Sequence, residues 1–304
     1  MRRLIVLTAL ATAGLFGIGV AAYTQAAQSK ELEVEQVRDN LYVLKGGGGN
    51  TAAFVTTNGV VVVDTKVPGW GQVLLDKVRT ITDKPVTTVI NTHTHYDHTS
   101  GQVEFPATVE VIAHENTAKL MHEANPVYGL QSGPQPNIFE ANGGRGYPTR
   151  TFSDRLTVGD GADRVDLYYF GRAHTGGDAY VVFPALRVMH AGDTFPSKDL
   201  PIMDMNNGGS GVDFPRTLTR AAGVSGIDTI INGHNPKTTT PAELKEYAAF
   251  IGDFVAAAQA AKRAGQSVDQ FVAAWKTPAK YTGYAAPNPA RVKADAEVVF
   301  SETK

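Results

Sequence analysis

His93, His95, Asp97 and His98 all fall in the run Asn91 to Gly101, four potential metal ligands within six residues. Imidazole suits zinc, iron and copper, and a carboxylate can bridge two ions. Three later segments, Ala173-His174-Thr175, Gly192-Asp193-Thr194 and Gly233-His234-Asn235, add two imidazoles and a second carboxylate. Seven such side chains exceed what one tetrahedral zinc needs. They match two ions that keep a position open for water. The plain alternative for the first cluster is a solvated histidine-rich turn, and the matched spacing argues against it. His174, His234 and Asp193 are unremarkable alone and take their meaning from that cluster. Three other histidines read as structural. His114 sits at a strand-to-helix junction, His122 on a helix surface, and His190 alternates away from Asp193 along its strand.

The surrounding pattern shows what must position these groups. Leu32 to Lys45 alternates and reads as a strand, followed by a flexible Gly46–Gly49 turn. Thr51 to Thr56 and Val60 to Asp64 flank Asn58-Gly59, a strong hairpin signal. Trp70 to Ile81 has helical spacing, and the β-branched run Val86 to Ile90 delivers the chain into His93. Val109 to Ala113 reads as a strand and Glu115 to Ala124 as a helix. Residues 125–152 form a long connection rich in Gly, Pro and Asn, of the kind that carries function. Arg164 to Phe170, Ala179 to Phe183 and Arg187 to Ala191 read as strands of a second sheet. Phe214 to Ala222 reads as a helix and Thr229 to Asn232 as a strand ending at His234. From Pro241 on the pattern is helical.

Taken in this order, the H-x-H-x-D-H run with His174, Asp193 and His234 resembles the metallo-β-lactamase superfamily of dinuclear hydrolases, over residues 32–240. The resemblance implies an α/β fold, the four-layer αββα sandwich, with extra C-terminal helices. It implies one metal site of His93, His95 and His174, a second of Asp97, His98 and His234, and Asp193 bridging the two. The expected cofactors are two zinc ions, with iron or manganese as alternatives. Asp97 is expected to be catalytic, orienting a water between the ions and carrying its proton. The chain has no cysteine. No thiolate can therefore act as a ligand, and Asp193 stands where several zinc β-lactamases of this family use cysteine.

The implied activity is hydrolysis of an ester, lactone, thioester or amide by a hydroxide held between two zinc ions. One alternative is a β-lactamase. Another is an oxidoreductase like the persulfide dioxygenases, which use one iron held by a subset of these residues. Glutathione-binding motifs of the glyoxalase II relatives are not found. Tyr128, Phe139, Arg145, Tyr147 and Arg150 in one loop, and Phe195, Ile202, Met203 and Met205 in another, are expected to wall a pocket with apolar surface and cationic heads.

Composition is that of an ordinary globular chain. Of its 304 residues 42% are hydrophobic and 19% charged, and the net charge is -2. No basic surface suggests a nucleic-acid partner, so a small-molecule substrate is expected. The N-terminus differs. Arg2 and Arg3 precede an uncharged apolar stretch, Leu4 to Ala22, and then the tail Ala21-Ala22-Tyr23-Thr24-Gln25-Ala26-Ala27, in which small residues predominate. This is the layout of a secretory signal peptide cleaved near Ala26 or Ala27, and an uncleaved anchor helix is the alternative. The expected division is a signal over 1–26, a hydrolase domain over 27–240 and a helical extension over 241–304 packed on it. The mature protein would be periplasmic or secreted, with no stable membrane association.

Overall fold

The computed structural model describes residues 30–130 and 136–304. The signal expectation falls on residues outside that range. Among the described residues no helix is long and apolar enough to cross a membrane.

Two sheets lie face to face. The first holds β1 (Glu33–Arg38), β2 (Leu41–Lys45), β3 (Thr51–Val55), β4 (Val60–Val63), β5 (Val86–Ile90), β6 (Glu110–His114) and β7 (Arg150–Phe152), ordered 1-2-3-4-5-6-7. The second holds β8 (Arg155–Val158), β9 (Val165–Tyr169), β10 (Ala179–Phe183), β11 (Val188–His190) and β12 (Thr229–Ile231), ordered 12-11-10-9-8. Phe54, Val61, Val63, Ile90, Leu167, Val181 and Phe183 fill the space between the sheets.

Helices cover both outer faces. α1 (Gly71–Arg79) packs Leu74, Leu75 and Val78 on the outer side of the first sheet. Short α2 (Tyr96–Thr99) follows β5, and α3 (Glu115–Glu123) and α4 (Ile138–Ala141) follow β6. α5 (Phe214–Ala222), α6 (Pro241–Arg263), α7 (Val268–Ala274) and α8 (Pro289–Glu302) share one core with the outer side of the second sheet. This is the four-layer αββα sandwich. With helices on both faces, central strands are buried throughout: all four residues of β4 and all five of β10 are buried.

Three expectations change. Leu32 to Lys45 is two antiparallel strands, because Asp39-Asn40 turns the chain and Asn40 Nδ2 donates to Val55 O (2.5 Å). The 125–152 connection contains α4 and β7. Asn137 caps α4 by accepting from Phe139 N and Glu140 N, a signal hidden in a polar stretch. The Gly46–Gly49 turn is shaped by close approach: a Cβ on Gly49 would lie 2.1 Å from His98 Cε1.

Topology gathers the polar groups. β4 and β5 are parallel, as are β11 and β12. β9 runs antiparallel to β10, and β10 antiparallel to β11, so β9 and β11 point the same way. Asp64, His93, His174, Asp193 and His234 thus all follow the C-terminal ends of strands. Asn50 N donates to Gly233 O (2.6 Å) and Ala179 N to Thr92 O (2.7 Å), tying the two sheets together at this edge.

Candidate metal centre

The structure brings all seven sequence-derived ligands together. Ligand atoms of His93, His95, His174 and Asp193 lie within 4.8 Å of one another, as do those of Asp97, His98 and His234. Asp193 Oδ1 is 3.3 Å from His98 Nε2 and its Oδ2 is 3.1 Å from His234 Nε2 and 3.8 Å from His174 Nε2. It stands between the two groups. Asp97 Oδ2 lies 3.6 Å from His98 Nε2 and 3.4 Å from His234 Nε2. Its side chain is 21% exposed against 8% for Asp193, so it is the more open of the two carboxylates.

The outer ring nitrogens of four of the five histidines are engaged, and for His95, His98 and His174 an acceptor-only partner makes that nitrogen the donor. His174 Nδ1 lies 2.7 Å from Ile202 O, a carbonyl that can only accept, so Nδ1 carries the proton. His95 Nε2 donates to Asp204 Oδ2 (2.8 Å), and His98 Nδ1 to Asp64 Oδ2 (2.7 Å). His93 Nδ1 is 3.0 Å from Thr92 Oγ1, while its Nε2 is buried without a hydrogen-bond partner. In the neutral rings His95 Nδ1 and His174 Nε2 therefore both carry lone pairs, and they face each other at 3.0 Å. Two lone pairs at that distance repel unless a cation lies between them. The donor set thus fits metal ions, with nitrogen and carboxylate oxygen and no thiolate.

Electrostatics agree. Burial, then the neighbouring imidazoles, holds His93 well below the usual histidine range and brings His174 to about 4, so both stay neutral ligands. Burial also opposes protonation of His98, but Asp193, Asp97 and Asp64 outweigh it and hold His98 well above that range. For His234 burial is likewise outweighed, chiefly by Asp193, and its pKa is raised. Without an ion these carboxylates draw protons onto His98 and His234, the sites where a cation would compete with them.

Sequence reasoning left the supporting groups unidentified. Asp64, Asp204 and Lys66 are fully buried. Asp204 Oδ1 accepts from Tyr128 N (2.9 Å) and Asn206 N (3.1 Å), which locks the carboxylate that holds His95. Lys66 Nζ donates to Leu44 O and Gly49 O, both at 2.6 Å, and pins the turn that packs on His98. Asp64 and Lys66 both take left-handed φ, 63° and 76°. Strain of this kind concentrates at functional sites. The available signal was the polar triplet Asp64-Thr65-Lys66 directly after an all-valine strand. The histidines set aside do stay apart: His114 caps α3 by accepting from Asn116 N, His122 stacks on Tyr147, and His190 Nε2 lies 3.2 Å from Asn50 O.

A cavity of about 450 Å³ opens beside His95 and Tyr96, between α2, α3 and α4. Of the expected pocket wall only Phe139 lines it. Arg145 Nη2 instead donates to Phe105 O, Arg150 pairs with Glu110, and Tyr128 Oη donates to Glu297 Oε2. Phe195 and Met203 are core residues, and Ile202 supplies the carbonyl on His174. Among the described residues no cationic head lines the cavity, because Arg145 and Arg150 anchor the loop elsewhere.

The sequence model of the metallo-beta-lactamase superfamily matches residues 44–239. The alpha subunit of 2,4-dinitroanisole O-demethylase from Nocardioides sp. (strain JS1661) is 32% identical over 168 residues. That match covers 54% of this chain and 46% of the subunit, so it spans about half of that relative's length. A metallo-beta-lactamase type 2 from Elizabethkingia meningoseptica is 26% identical over 197 residues, 60% of this chain and 68% of that protein. Among solved structures, a metallo-beta-lactamase from Pontibacter korlensis superposes with a TM-score of 0.59 at 19% identity, covering 73% of this chain and 99% of that one. The chain carries the αββα sandwich and a convergent His/Asp cluster at its strand ends, and its matched residues span most of its length. It belongs to the metallo-beta-lactamase superfamily.

Proposed function

We propose that the protein is an exported hydrolase that uses two zinc ions to cleave an ester or lactone bond, with thioesters and amides as related substrates. One observation carries this reading: His95 Nδ1 and His174 Nε2 lie 3.0 Å apart with their other nitrogens held by Asp204 and Ile202, so that as neutral rings both present acceptors to the same space. Such an arrangement is built for a cation. Asp97, His98 and His234 form a second group with the same logic. A single-ion oxidoreductase would leave that second group without a role.

His93, His95 and His174 would hold one ion, Asp97, His98 and His234 the other, and Asp193 both. Two such ions supply Lewis acidity to the scissile bond and lower the pKa of water from about 15.7 toward 7. The protein supplies the rest. Asp204, Ile202 and Asp64 hold the rings in the tautomers that aim lone pairs inward. Asp97, the more open carboxylate at the site, would orient the attacking water and pass its proton to the leaving oxygen.

β-Lactam hydrolysis is the second reading, favoured by the match to the Elizabethkingia enzyme. Ring opening of a β-lactam needs stabilisation of a nitrogen anion, whereas activated esters and lactones need only modest carbonyl polarisation. Esters or lactones should be preferred at least tenfold in kcat/KM, about 1.4 kcal/mol. The test is metal analysis of protein purified without chelator, followed by aryl esters, lactones, 2,4-dinitroanisole and cephalosporins. Close to two zinc per chain with ester or lactone turnover supports the reading. Efficient β-lactam turnover without esterase or lactonase activity replaces it with the second. Export is tested by sequencing the N-terminus of the mature protein, expected between about Ala22 and Gln28.

A further inference from the structure

We propose that the cavity beside His95 binds the acyl chain of a neutral, medium-chain ester, and that it selects by apolar burial and against charge. The inference rests on the hydrolase reading for its connection to catalysis. Its binding component stands on the geometry alone.

The volume, about 450 Å³, lies in the range of small-molecule sites, about 300–1,000 Å³. Its position suits a substrate. One end is formed by Thr94, His95 and Tyr96, the backbone that carries the first ligand cluster. Its walls are Leu120 and Met121 of α3, Val127, and Ile138 and Phe139 of α4. The described residues that line it include no Asp, Glu, Lys or Arg, and the one imidazole, His95, has its Nε2 spent on Asp204.

The asparagines that line it are spent too, and Thr99 Oγ1 donates to His95 O. The amide of Asn137 donates to Met121 O and Tyr147 Oη, and its oxygen caps α4. The amide of Asn207 donates to Asp204 Oδ2, and that of Asn125 to Glu123 Oε2 and Asn206 O. Donors already committed to the protein cannot recognise a substrate without breaking those bonds. What remains to bind with is apolar surface and the uncharged hydroxyls of Thr94, Tyr96 and Ser100. A carboxylate placed there would lose its water and meet no cation.

The test uses zinc-loaded protein and p-nitrophenyl acetate, butyrate, hexanoate and octanoate, with the mono-p-nitrophenyl ester of adipate as the charged counterpart of the hexanoate. Each methylene buried should raise kcat/KM by up to about fourfold, the equivalent of about 0.8 kcal/mol. The rise from acetate to hexanoate should reach at least about twentyfold, and the adipate ester should fall at least about tenfold below the hexanoate. Ile138 lies on the partly exposed wall of the cavity, away from the ligands. Ile138→Trp should flatten the chain-length series. Ile138→Lys should raise the adipate ester relative to the hexanoate, a gain that misfolding cannot produce. Binding is read separately on chelator-treated protein by fluorescence of N-phenyl-1-naphthylamine. Octanamide should displace it and octanedioate should not, and Ile138→Trp should weaken its binding.

Ester turnover with a flat chain-length series, or with the adipate ester preferred, overturns the cavity inference and leaves the hydrolase reading standing. Absence of ester turnover, with probe binding that octanamide displaces and Ile138→Trp weakens, overturns the hydrolase reading and supports the cavity. Absence of both turnover and binding overturns both.

Discussion

Asp64 Oδ2 lies 2.7 Å from His98 Nδ1, and both side chains are completely buried. The same carboxylate accepts from Thr92 N (2.8 Å) and from Thr92 Oγ1 (2.7 Å), and Thr92 Oγ1 stands 3.0 Å from His93 Nδ1. One buried aspartate thereby orients a candidate ligand in each of the two candidate metal groups. Asp64→Asn should lower zinc affinity by about 10- to 100-fold, the usual cost of losing a carboxylate behind a ligand histidine. Chelator competition checks this. An unchanged affinity would show that Asp64 serves the fold alone.

Gly233 is held by Asp193: a Cβ there would lie 1.8 Å from Asp193 Oδ1. Gly233→Ala must displace the carboxylate that stands between the two groups. It should leave the fold's far-ultraviolet dichroism intact while metal stoichiometry falls. Full metal content in the variant would show that Asp193 is not needed to hold the ions.

On the proposed hydrolytic reading, Asp97→Asn keeps a weak ligand and removes the proposed proton carrier. It should retain metal and lose about 10²–10⁴ in kcat, the range of a single general acid–base contribution. Turnover equal to the parent with both metals bound would remove the proton role.

Lys66 gives a pH signature. Burial lowers its pKa to about 7, against the pull of Asp64 and Asp97. Between about 7 and the free value of 10.5 the unfolded chain binds a proton that the folded chain does not, so this contribution to stability grows as pH rises. It is complete above 10.5 and gone below about 7. Lys66→Met removes the titration while keeping an unbranched side chain at the left-handed position. In urea unfolding of chelator-treated protein, its deficit against the parent should grow by about 1–3 kcal/mol from neutral to about pH 9.5. A deficit constant with pH would mean that Lys66 does not titrate in this window.

Asp295 of α8 accepts from Met203 N (3.2 Å), in the strap whose Ile202 O holds His174 and whose Asp204 holds His95. Asp295→Ala should weaken zinc binding by about fivefold, corresponding to about 1 kcal/mol for a lost hydrogen bond. Cobalt substitution would show altered d–d bands for the three-histidine group. Unaltered bands and affinity would confine α8 to packing.

The convergent His/Asp cluster was legible in the sequence because its chemistry is restrictive. Few residue types bind zinc, and the first four must sit on one turn, so His93, His95, Asp97 and His98 announce themselves by spacing. His174, Asp193 and His234 could be placed because each follows a strand-like run, and strand ends deliver loops to one edge. The layers were readable for the same reason: period-two and period-3.6 patterns are local. Tertiary structure alone decided which carboxylates support the ligands. Asp64 lies 34 residues from His98 and Asp204 lies 109 from His95, and nothing in an isolated aspartate shows which imidazole it will meet. It also decided the pocket. Loop residues point where their anchors send them: Arg145 toward Phe105 O, Tyr128 toward Glu297, Phe139 into the cavity. Those directions depend on the packing of α3, α4 and α8 around the site, so composition suggested cationic walls where the fold built an apolar one.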